Sequence, residues 1–271
     1  MSPAACAPAT TGPASSAPTK SASGLPSAHV HRMAVNDETG QILLATHEGL
    51  FDISHTPATK IGPTNDLMGF TTVHDEGIYY ASGHPGKDSA LPNPLGLIRS
   101  GDGGKTWVLL SRQRESGFHA LTTTKNGVVA FDGTLMTSPD GQNWTPVTAG
   151  FTPAVLAGHT HSDTVLATTP QGLQRSTDAG TTWTLNESAP VVQYAVFAST
   201  NHVVGVQPDG NVQVSADSGA TWSSKGRISG GVQAITAVKK PDGPLRIWAA
   251  TADGVEASAD GGATFAPYQP N

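Results

Sequence analysis

Between residues 119 and 147 the chain alternates short apolar runs with polar breaks. His119-Ala-Leu-Thr-Thr, Val128-Val-Ala-Phe131, Thr134-Leu-Met-Thr137 and Trp144-Thr-Pro-Val147 each read as a strand, and Gly, Asn and Asp separate them. The same grammar returns along the chain: an alternating run, a second β-rich run, a Gly that opens a short third strand, then a turn into a fourth. The opening Gly recurs at Gly49, Gly96, Gly133, Gly172, Gly210 and Gly254, which counts six units.

The turn between the third and fourth strands carries a motif. It reads Ser100-Gly-Asp102-Gly-Gly104-Lys-Thr106-Trp107, and in shortened form Ser138-Pro-Asp140-Gly141-Gln-Asn-Trp144. It returns as Ser176-Thr-Asp178-Ala-Gly180-Thr-Thr182-Trp183, Ser215-Ala-Asp217-Ser-Gly219-Ala-Thr221-Trp222 and Ser258-Ala-Asp260-Gly-Gly262-Ala-Thr264-Phe265. The first unit has only a degenerate version, Phe51-Asp52-Ile53-Ser54. Successive motif serines are 38, 38, 39 and 43 residues apart, a period that fits four-stranded propeller blades. Ser and Asp side chains cap nearby backbone N–H groups in such a turn, Gly supplies positive φ, and the aromatic ring packs inward. The motif aspartates are therefore read as structural, not catalytic.

These five turns resemble the Asp-box, or bacterial neuraminidase repeat, of sialidase-like propellers, over roughly residues 29–268. The resemblance implies an all-β, six-bladed β-propeller. Segments such as His29-Val-His31, Ser82-Gly-His84-Pro and Phe118-His119-Ala are similar to secreted bacterial propellers labelled glycosyl hydrolases. Fold and chemistry are separate inferences, since Asp-boxes occur in proteins of unrelated function. Sialidases hold a substrate carboxylate with three Arg, use a Tyr–Glu pair and carry an Arg-Ile-Pro start; this chain has no Arg-Ile-Pro. It has seven Arg, and Tyr194 near Glu187 is its one candidate Tyr–carboxylate neighbourhood. Gly103-Gly-Lys105-Thr106 ends like a phosphate-binding loop, but Arg99 stands where that motif needs its first Gly.

Composition narrows the classes. With 271 residues and a net charge of −6, the chain lacks the basic surplus that drives nucleic-acid binding. No apolar run is long enough for a spanning helix. Of residues 2–28, 24 are Ala, Pro, Ser, Thr or Gly, so residues 1–28 are expected to be a disordered tether before a propeller at 29–271. Ala4-Ala5-Cys6 resembles the processed start of a bacterial lipoprotein. It makes Cys6 a candidate lipid anchor and points to a secreted or envelope-attached, extracytoplasmic bacterial protein, expected as a monomer.

The chemistry concentrates in histidine. In a four-stranded blade, the loops entering strand one and leaving strand two share a face. His29, His31, His47, His84 and His119 all map to that face on blades 1–3, whereas His159 and His161 map to the opposite end. His29 and His31 are two apart on a strand, so both imidazoles can serve one ion. Several imidazoles suit Zn or Cu. Glu48, Asp66, Glu115 and Asp132 are carboxylates of the same face, with Met68 as a soft ligand. The expected function is binding at this mouth, of a metal ion, a glycan or a protein. A glycosidase using Glu48, Glu115 or Asp132 as its catalytic carboxylates is the alternative, and an interaction scaffold is the third reading.

Overall fold

The structure, a computed structural model, describes residues 28–36, 38–73 and 77–270. The expected tether, and with it Cys6, lies outside the described residues apart from Ala28. Among the described residues, 24 strands form six four-stranded antiparallel sheets, each built from four consecutive strands. The protein is a six-bladed β-propeller.

Blade 1 is β1 (Val30–Val35), β2 (Ile42–Thr46), β3 (Gly49–Asp52) and β4 (Thr59–Ile61). Blade 2 is β5 (Asn65–Val73), β6 (Ile78–Pro85), β7 (Leu97–Ser100) and β8 (Val108–Ser111). Blade 3 is β9 (Ala120–Thr124), β10 (Gly127–Phe131), β11 (Leu135–Ser138) and β12 (Thr145–Val147). Blade 4 is β13 (Val155–Ala157), β14 (Val165–Thr169), β15 (Gly172–Ser176) and β16 (Thr184–Leu185). Blade 5 is β17 (Tyr194–Phe197), β18 (Val203–Val206), β19 (Asn211–Ser215) and β20 (Ser223–Arg227). Blade 6 is β21 (Val232–Lys239), β22 (Leu245–Thr251), β23 (Gly254–Ser258) and β24 (Ala266–Pro267).

Second strands are buried on both faces, as in the Ile-Leu-Leu-Ala-Thr of β2, because each blade is sandwiched between two others. Fourth strands are short and exposed, which limits the unpaired edge each blade presents. The hydrophobic core is not one mass but six layers, each lying between two neighbouring blades. The sixth layer joins blade 6 to blade 1 through Met33, Val35, Ile42, Trp248 and Val255. Closure needs no exchanged strand. Val30 N donates to Gln233 Oε1 at 3.0 Å, and Ala250 N to Met33 Sδ at 3.1 Å.

The motif turns have the expected hydrogen bonds and one unexpected role. In blade 5, Ser215 Oγ accepts from Gly219 N at 2.8 Å and donates to Asp217, whose carboxylate also takes the N–H and hydroxyl of Thr221. Those Thr221 bonds, with Ser215, hold the Asp217 carboxyl down at about 2. The aromatic ring does not simply fill its own blade: Trp107, Trp144, Trp183, Trp222 and Phe265 each sit in the layer shared with the preceding blade. The motif glycines meet that blade too. A Cβ on Gly219 (φ +81°) would stand 2.8 Å from Leu166, and one on Gly104 (φ +88°) 2.5 Å from Leu50. The turn is thus a docking element between blades.

Candidate functional site

Three of the first strands carry a β-bulge near their start. The register shifts between Val30 and Arg32 in β1, between Leu67 and Gly69 in β5, and between Val232 and Ala234 in β21. The extra residues are His31, Met68 and Gln233. A bulge re-aims the side chain at its position, and in β1 that side chain is an imidazole turned toward blade 2.

There it meets two partners. His47 projects from the β2–β3 turn, and Asp66 is the second residue of β5. His31 Nε2 lies 3.1 Å from His47 Nδ1 and 3.1 Å from Asp66 Oδ1, while His47 Nδ1 lies 3.1 Å from Asp66 Oδ2. One ligand atom from each lies within 4.8 Å of the others. Ligands about 2.0–2.1 Å from a tetrahedral ion are about 3.3 Å apart; the two imidazole nitrogens have nearly that spacing, and each faces a different oxygen of Asp66. His29 stands beside the trio, its ring centroid 5.2 Å from that of His31 and 5.9 Å from that of His47.

Burial and the neighbouring His47 imidazole lower the His31 pKa to about 4, against the opposing pull of Asp66. His31 is therefore a neutral imidazole at pH 7, the form that ligates metal. Asp66 is partly shielded and His47 is exposed, so the site opens outward at the junction of blades 1 and 2.

The other expected residues lie elsewhere. His84 is the cross-strand partner of Asp66, but its Nδ1 lies 2.6 Å from Asn93 Oδ1 on the loop leading into β7, and the ring does not join the trio. His119 is exposed, and what it offers the site's surroundings is its carbonyl. The five-histidine convergence thus reduces to three histidines, with Asp66 supplied by the next blade. Glu48 is exposed on the β2–β3 turn. Glu115 lies 3.6 Å from Arg112 on the β8–β9 loop, and Asp132 is on the β10–β11 turn. These catalytic candidates occupy three separate turns, and no pairing between them is seen among the described residues. His159 is buried at the start of the β13–β14 loop beside His161, their centroids 5.4 Å apart.

Arg32, next to His31, points into the central channel. Nη1 donates to His31 O at 2.8 Å and Nη2 to His119 O at 2.6 Å. The channel is lined by all six first strands, and Tyr194 belongs to it. Tyr194 Oη donates to Val232 O at 3.0 Å, so its partner is a backbone carbonyl and not Glu187. Burial lowers the Arg32 pKa and raises that of Tyr194. Sequence reasoning placed Asp66 on the right face without making it a ligand, and it missed Arg32 in the channel. The adjacency of Arg32 to His31 on a first strand was the available signal.

No protein-family model matches the chain, and no curated protein does. Solved structures do. A GH74 enzyme of Niastella koreensis superposes with a TM-score of 0.58 at 17% identity, covering 89% of this chain and 37% of that one. YCF48 bound to a D1 peptide gives a TM-score of 0.55 at 15% identity, over 86% and 94% of the two chains. The extracellular domain of the B. thetaiotaomicron protein BT4673, a putative hybrid two-component system, gives 0.52 at 12% identity, over 85% and 38%. The likeness is one of fold. This chain therefore spans little more than a third of the GH74 enzyme's length, and its chemistry has to be argued from its own residues.

Proposed function

We propose that this propeller is an extracytoplasmic binding protein whose mouth site, His31, His47 and Asp66, takes one divalent transition-metal ion of the Zn or Cu class. The observation that carries the reading is that His31, His47 and Asp66, from three separate segments (β1, the β2–β3 turn and β5), stand in pairwise 3.1 Å contact, a different Asp66 oxygen facing each imidazole, with one ligand atom of each within 4.8 Å of the others. Two imidazoles and one carboxylate leave a fourth position open, as in sites that present a metal to a ligand. His29 stands beside the trio, its ring centroid 5.2 Å from that of His31. The extracytoplasmic setting draws support from the fold relative that is an extracellular domain. No helix is long and apolar enough to cross a membrane among the described residues.

The test is metal content by mass spectrometry on untagged full-length protein after incubation with Zn or Cu and desalting. About one ion per chain is expected for the wild type, with loss in His31→Ala and in His47→Ala. Wild-type protein that emerges metal-free, or variants that retain the ion, would refute the site. Fractionation of cells expressing the intact gene tests the location.

A further inference from the structure

A second site lies on the channel side of the same strand. The first strands β1, β5, β9, β13, β17 and β21 enclose a cavity of about 90 Å³ along the axis. Its wall is Ala, Val, Leu, Ile, Phe, Met and Gly, with His31, Arg32, Tyr194 and Thr71, Thr72, Thr122 and Thr236. Among the described residues of this lining there is no Asp, Glu or Lys, and Arg32 is the one permanent charge. A guanidinium has five N–H donors. The carbonyls of His31 and His119 take one each from Nη1 and Nη2, and no other acceptor from the described residues engages the remaining three. No carboxylate of the described residues forms a salt bridge with Arg32.

A cation with unused donors, in a channel whose lining holds no carboxylate, favours an occupant that is both an acceptor and an anion. We propose that the channel binds one small planar monovalent oxyanion, of the size and shape of formate, bicarbonate or nitrate, in bidentate contact with Arg32. The planar fork of the guanidinium matches the two in-plane oxygens of such an ion. The cavity bears on the size: its volume is several times the roughly 10–15 Å³ that one water needs, so there is room for an ion of three or four heavy atoms. The single charge sets the valence. His31 borders both sites, but it meets Arg32 through its backbone carbonyl, so the anion site is proposed to form without metal.

The test uses full-length protein in EDTA, titrated with ¹³C-formate and followed by formate line broadening, with nitrate as competitor. One saturable site with a dissociation constant of about 1 mM or tighter is expected for a bidentate charge-assisted contact. Nitrate should displace formate, and sulfate should fail to. Arg32→Lys keeps the charge but loses the fork, and should weaken binding at least about tenfold. His47→Ala, which removes a proposed metal ligand, should leave formate binding unchanged and so separates the two sites. Absence of saturable binding in the wild type would overturn the proposal, as would an Arg32→Lys protein that binds as well. Should Arg32→Lys fail to fold, a wild-type crystal soaked in formate decides by whether the ion lies against Arg32 or elsewhere.

Discussion

At His31, burial and a neighbouring imidazole oppose protonation more than Asp66 favours it, and the pKa falls to about 4. The unfolded chain takes up this proton near pH 6.5, so between pH 6.5 and 4 it binds more protons than the folded one. Stability without metal is therefore expected to fall as pH drops through that window. The His31 share is about 1–2 kcal/mol after allowing for solvent screening of a half-buried ring. Urea unfolding at pH 7 and pH 4.5 in EDTA checks it, and His31→Gln should flatten the dependence. Asp66→Asn keeps the shape of the side chain but gives up its charge and one oxygen. Metal affinity should drop about 10–100-fold, with the apo-protein's circular dichroism unchanged, as titration calorimetry would show. The sequence places His29 and His31 on one side by strand alternation, but the bulge gives His31 its own direction, toward Asp66. The bulge in β1 carries no glycine to mark it in the residue pattern. For the same reason His84 and His119 share the right face yet miss the trio: position along a strand says which end a side chain is at, not which neighbour it turns to.

At the level of strands and turns, legibility was high because each blade is encoded within about 40 consecutive residues. The strands expected at residues 119–147 match β9 to β12 within a residue or two. All six opening glycines take positive φ, from 67° at Gly96 to 141° at Gly254. What the turn motif does for the neighbouring blade was not legible, since inter-blade distance is not a property of any one repeat. Ser111 Oγ donates to Gly141 O at 2.5 Å, and Asn186 Nδ2 to Gly219 O at 3.0 Å; both link a blade's outer region to the next blade's turn. Gly219→Ala should strain a positive φ and press a methyl onto Leu166. The expected cost is about 2–4 kcal/mol, from backbone strain and overpacking together. A denaturant midpoint measured beside Gly261→Ala isolates the packing share, because Gly261 has the same sign of φ (+78°) but open space around its Cβ position.

Over the whole molecule, six apolar layers share the load, and the ring closes by packing and side-chain hydrogen bonds, with no exchanged strand. The closing layer is the one without a full motif turn: its blade carries Phe51-Asp52-Ile53-Ser54, where Ser54 Oγ accepts from Ile42 N. Met33 lies at the centre of that seam, buried against blade 6 and accepting from Ala250 N. Met33→Ala should cost about 2–4 kcal/mol through the cavity left behind. If the seam is the weakest layer, hydrogen exchange in β1 and β22 should speed up more than in β14. Equal acceleration everywhere would mean that the ring opens only as a unit.

The bulge in β1 also bears on symmetry. Six near-equivalent units would by themselves give either six equal sites or one on the axis. His31, His47 and Asp66 do neither, because they come from two adjacent units and sit where the copies differ. The pseudo-sixfold order is broken there, so the proposed site stands once, off-centre, among the described residues. Superimposing the blades and subtracting what they share would leave such positions standing out, and in a repeat protein that residue of difference is where specific chemistry can be sought.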